Sequence, residues 1–139
     1  MLSPSTFTSP AQRSAARLLN QLPDWTRDLG VATALDVAAV LDQAAKLLVH
    51  RGWQPATFTD MQGRLDVLGA INTAAGLRPD GSGRSGQQDA VGWARESLRR
   101  HVGADILTWQ QTADLDTIVV ALHATAHALR TESEAGDRP

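Results

Sequence analysis

The sequence predicts a mostly α-helical protein: a small bundle of four to five helices with one short β-hairpin. Three observations carry this. Apolar residues recur at spacings of three and four over 33–51, 89–101 and 113–130, the spacing that lines one face of a helix. Glycines stand just past two of these segments, at Gly52 and Gly103, where a left-handed residue stops a helix. A β-like pattern is confined to 57–60 and 64–67, either side of a turn at Gly63.

In chain order, the Ser/Thr/Pro-rich residues 1–9 are expected to be disordered. Ser9 and Pro10 suit the cap and first position of a short helix whose stripe is Ala11, Ala15, Leu18, Leu19 and Leu22. Pro23 ends it, and a connection anchored by Trp25 follows. Thr33 is the expected cap of the strongest helix, in which Ala34, Val37, Ala38, Leu41, Ala44, Ala45 and Leu48 cover a wide apolar face. Trp53, just after Gly52, should fold back on the core. The two hairpin strands are too short to stand alone and must lie on helices. A short helix over 68–75 stops at Gly76, and the Gly/Ser/Arg-rich run 77–88 is expected to be mobile.

The helix over 89–101 has the stripe Val91, Ala94, Leu98 and Val102. Ile106, Leu107 and Trp109 then staple a connection to the core. Thr112 is the expected cap of a last helix over 113–130, with Leu115, Ile118, Val119, Leu122, Ala126 and Leu129 inward. The acidic tail 131–139 should fray into disorder. The whole is one domain over 10–130, with no internal repeat.

Composition narrows the chemistry. The 139 residues include no cysteine, which excludes disulfides, thiolate metal sites and cysteine nucleophiles. With 42% hydrophobic and 20% charged residues the chain is globular in character rather than disordered. A formal charge of −2 gives no field that would draw nucleic acid by itself. No apolar run reaches the ~20 residues of a membrane span. Met1 to Pro10 lack the basic and apolar regions of a secretory signal, so the expected address is the cytoplasm.

Five constellations carry possible chemistry. Gly81-Ser82-Gly83-Arg84-Ser85-Gly86 spells G-x-G-x-x-G ahead of a helix, the pattern that brings backbone close to a pyrophosphate. It lacks the preceding strand that a dinucleotide site needs, so a flexible linker is the better reading and no cofactor is expected. Asp116, His123 and His127 lie on one flank of the last helix and form a candidate metal set, His123 and His127 being four apart. Trp93 lies about 200° around its helix from Val91, which points either to burial by another element or to an interface. Arg95, Arg99, Arg100 and His101 cluster near the end of the same helix, where they complement its dipole as a solvated face or meet the phosphates of a nucleic acid. Asp60 and Asp66 flank the turn and, with Asp24 and Asp28 upstream, read as turn formers rather than as a catalytic pair.

The run from Ala44 to Trp53, Gly63-Arg64, Leu68-Gly69-Ala70-Ile71, Ala74-Ala75-Gly76 and Trp109-Gln110-Gln111 together resemble an uncharacterised small-protein family common in actinobacteria and their phages. The resemblance covers about residues 33–130. It implies the helical fold and brings no activity or catalytic residue. Members commonly have a cysteine before the small-residue helix, where this chain has Asp66.

No catalytic constellation is found. The expected function is therefore a non-enzymatic binding or accessory protein, meeting a protein partner through Trp93, Arg95, Arg99 and Arg100. Homodimerisation through apolar helix faces is a further expectation. The alternatives are a small metal-dependent enzyme on Asp116, His123 and His127, and a DNA-binding regulator on Arg95, Arg99 and Arg100.

Overall fold

The computed structural model describes residues 30–137. The expected N-terminal disorder, the helix begun by Pro10 and the Trp25 connection lie outside the described residues. Within them are five helices: α1 (Gly30–Arg51), α2 (Val67–Ala74), α3 (Gln88–Val102), α4 (Ile106–Thr112) and α5 (Leu115–Asp137). None is long and apolar enough to cross a membrane.

α1 is the hub, packing on α5, α2 and α3. Val37, Ala38, Leu41, Ala44, Ala45 and Leu48 of the predicted face are buried, Ala34 is half-buried, and Val40, outside the predicted face, is buried as well. The three buried alanine and two valine side chains keep the neighbouring helices close. α1 begins three residues before Thr33, which therefore lies within the helix rather than at its cap. Gly52, at φ +91°, ends it as expected.

Asp42 fastens α1 to α5. Its carboxylate meets His123 Nδ1 at 2.7 Å and Arg130 Nη2 at 2.6 Å. Burial alone would raise this carboxyl; the two bonds outweigh it and hold Asp42 below the ordinary carboxylate range.

The expected hairpin is not formed. Residues 52–66 instead make two single-residue bridges, both at Leu65: one parallel to Trp53 and one antiparallel to Thr59. Side chains supply the rest of the order. Gln54 Oε1 accepts from the Ala56 and Thr57 amides. Asp60 Oδ1 accepts from the Gln62 and Arg64 amides, while its other oxygen receives Arg64 Nε at 2.7 Å. These local bonds satisfy backbone that a ladder would otherwise have used, so no strand lengthens. Gly63 does take the left-handed position, at φ +79°.

Asp66 leaves the predicted strand and becomes the N-cap of α2, its Oδ1 accepting from Gly69 N at 2.6 Å. Gln110, fully buried on α4, locks that cap. Its Oε1 accepts from Val67 N at 2.9 Å and its Nε2 donates to Asp66 Oδ2 at 3.3 Å.

Two boundaries differ from expectation at the C-terminal end. Residues 106–112 form a helix of their own because Asp105 caps it, accepting from Thr108 N. Thr112 ends that helix, and Asp114 takes over as the cap of α5 by accepting from Thr117 N at 2.8 Å. α5 then continues to Asp137, through most of the tail expected to fray.

Candidate functional site

α3 has one buried arc and one open flank. Ala90, Val91, Trp93, Ala94, Ser97 and Leu98 are buried. At about 100° per residue they span roughly 160° of the helix. Trp93, at one edge of the arc, is 2% exposed and belongs to the central core. This corrects the expectation that it faces a partner. Val91 marks the opposite edge, and the small residues Ala90 and Ser97 fill the arc between. Measured from Val91 alone, Trp93 stood outside the core. Its indole Nε1 and the Ser97 hydroxyl are both buried without a hydrogen-bond partner among the described residues.

The three arginines are not equivalent. Arg99 grips Glu96 through Nε at 2.9 Å and Nη2 at 2.6 Å, and Arg100 Nε reaches the same carboxylate at 3.0 Å. The Arg99 bonds lead in holding the Glu96 carboxyl down at about 2, against burial that would raise it. The folded-state value thus lies below the ordinary one of 4.5. What the pair contributes to stability is fully present above about pH 4.5 and is lost as the pH falls toward 2. A carbon-13 titration of Glu96 is expected to show its midpoint near 2; a midpoint near 4.5 would mean that the pair does not persist in solution. Arg95 is exposed and, among the described residues, pairs with no carboxylate.

Arg95 stands where two depressions meet. One, of about 330 Å³, is lined by Phe58, Leu68, Asn72, Leu77 and Val91 and by the loop glycines 81 and 83. The other, of about 290 Å³, lies toward Glu96, Arg99, Ile106 and Leu107. Leu68, Gly92 and Arg95 line both, so the two form one groove that runs beside α3 and crosses Gly92.

Gly92 keeps that crossing open. A Cβ built there meets nothing within 4 Å. Its backbone is not left-handed, so neither conformation nor packing among the described residues calls for glycine. A glycine inside a helix is nevertheless less stable than alanine by roughly 1 kcal/mol. Gly69 in α2 is the opposite case: a Cβ there would lie 2.0 Å from the Phe58 carbonyl oxygen.

The glycine-rich loop borders the groove and lacks the preceding strand of a dinucleotide fold. α2, not a strand, leads into it. Gly81 and Gly83 have positive φ, and they serve a turn in which Arg78 N donates to Ser82 O at 2.9 Å and Gly81 N to Arg78 O at 2.8 Å. Asn72 Nδ2 holds Pro79 O at 2.8 Å, and the Ser85 hydroxyl bonds Ala75 O. The run expected to be mobile is fastened to α2 at both ends.

The candidate metal set does not assemble. His123 is committed to Asp42 across the α1–α5 interface. Asp116 stands seven residues before His123, about 10 Å along the axis, beyond reach of one ion shared with both histidines. Among the described residues no three His, Asp or Glu side chains are placed to hold a metal. Asp60 and Asp66 are spent on the turn and on the α2 cap. The sequence signal that could have found the groove is Gly92, a glycine on the exposed side of a helix interior.

Fold and site together define a mostly helical domain with an open surface groove, on which Arg95 is uncommitted among the described residues. The chain belongs to the Family of unknown function (DUF6197), which matches residues 32–131 and so takes in the packed parts of all five helices. No curated protein and no solved structure matches it.

Proposed function

We propose that this chain is a non-enzymatic binding or accessory protein that receives a protein partner in the groove beside α3. The observation that carries this is Arg95, an exposed guanidinium unpaired among the described residues, set where the two depressions meet, with Phe58, Leu77 and Leu107 among the polar groups that line them. Arginine flanked by apolar surface is a common centre of protein interfaces. Arg99 and Arg100 share the single Glu96 carboxylate, which leaves α3 fewer free cations than a DNA backbone calls for and favours a protein partner. The cysteine-free composition suits a reducing compartment, and the cytoplasm is the address we propose.

Capture from a native lysate, quantified for the wild type and Arg95→Glu, tests this reading. The expected result is a captured protein whose yield falls at least tenfold with Arg95→Glu, while helicity and melting temperature stay unchanged. Equal yield from both proteins would remove the groove from the function.

A further inference from the structure

We infer that the occupant of the groove is an extended acidic segment of a polypeptide, its backbone crossing Gly92 and an Asp or Glu side chain meeting Arg95. The inference rests on the binding reading above and names the chemistry of its partner. Three observations support it independently.

The first is steric. Gly92 leaves open space that no other described residue fills, and the missing Cβ admits close approach of another backbone. The second is shape. The groove consists of two depressions on either side of the Gly92 crossing, with Phe58, Leu77 and Val91 at one end and Ile106 and Leu107 at the other. A single small ligand would favour one enclosed pocket. An extended chain places alternate side chains into successive pockets along its length.

The third is charge. Each carboxylate on the rim is already engaged. Asp80 Oδ1 accepts from Ser82 N, Glu96 holds Arg99 and Arg100, and Asp105 caps the N-terminus of α4. Arg95 pairs with none of them and, among the described residues, with no other carboxylate, so the complementary group on the occupant is an anion. A nucleic-acid strand would need several free cations in a row, and two of the three on α3 are engaged.

The test uses a phage-displayed library of random linear heptapeptides, selected on the full chain, and synthetic versions of the enriched peptides measured by fluorescence anisotropy. Enriched peptides are expected to carry one Asp or Glu between apolar residues. Arg95→Glu should weaken them at least tenfold and, when selected afresh, enrich basic residues instead. Gly92→Leu should abolish binding. Gly92→Ala should raise the melting temperature by roughly 4 °C, and Gly92→Leu should stay folded, so loss of binding is read apart from loss of structure. Peptides without an acid, or acidic peptides indifferent to Arg95→Glu, overturn the inference. Failure to enrich any linear peptide also overturns it. If lysate capture still depends on Arg95 in that case, the binding reading survives and the partner docks as a folded surface.

Discussion

Trp93→Ala is expected to destabilise the protein by about 3–5 kcal/mol, the range for emptying a large aromatic site in a core. Trp93 is the largest fully buried side chain of the described residues. Its neighbours in the cluster are mostly alanine, leucine and valine, and backbone-held alanines cannot swell to fill the hole. Equilibrium urea unfolding measures the loss. Trp93→Phe should cost far less. It keeps a ring in place and removes an indole N–H that is buried without a partner, a group whose desolvation already works against the fold. If Trp93→Ala unfolds at the same urea concentration as the wild type, the ring does not fill the core. A further expectation follows for binding: Trp93→Phe leaves capture of a partner unchanged, because the ring is 2% exposed and does not reach the groove.

Gly69→Ala is expected to cost about 3 kcal/mol or more, and Gly92→Ala to stabilise, although both put one methyl group on a helix. At position 69 the new Cβ would sit 2.0 Å from the Phe58 carbonyl oxygen, 2.9 Å from its carbon and 3.1 Å from Asp66 Oδ1. The first two are backbone atoms. That carbonyl also accepts from Asp66 N, so moving it disturbs the residue that caps α2. Overpacking that only backbone movement can relieve lies at the costly end of such changes. At position 92 no atom objects and helix propensity decides the sign. Thermal unfolding of the two variants side by side checks both. Equal and small effects would mean that the Phe58 loop yields easily.

The three long helices were legible because each has an apolar stripe of several turns, and two of them a clear stop at Gly52 and Gly103; the last has none, and it continues past residue 130 to Asp137. Periodicity could not show how far around α3 the core extends. Ala90 and Ser97 are too small or too polar to register as core, yet they bridge Val91 to Trp93. The hairpin misled for a local reason: Thr, Phe, Leu and Val at alternating positions suit a strand, but Gln54 and Asp60 offer the backbone closer partners. The metal set failed on axial distance and on Asp42, which comes from another helix and leaves no trace in spacing. The arginines were visible as a cluster; that Glu96 engages two of them and leaves Arg95 depends on side-chain reach.

Gln110 and Asp66 are separated by 44 residues and joined inside the protein. Gln110 also serves the Val67 amide, so neither residue can be replaced freely while the other stays as it is. An apolar side chain at 110 would strand the Val67 amide and one carboxylate oxygen. A group at 66 that cannot accept would leave the Gln110 amide nitrogen unmatched. Lineages that alter one of the two positions are therefore expected to carry a compensating change at the other.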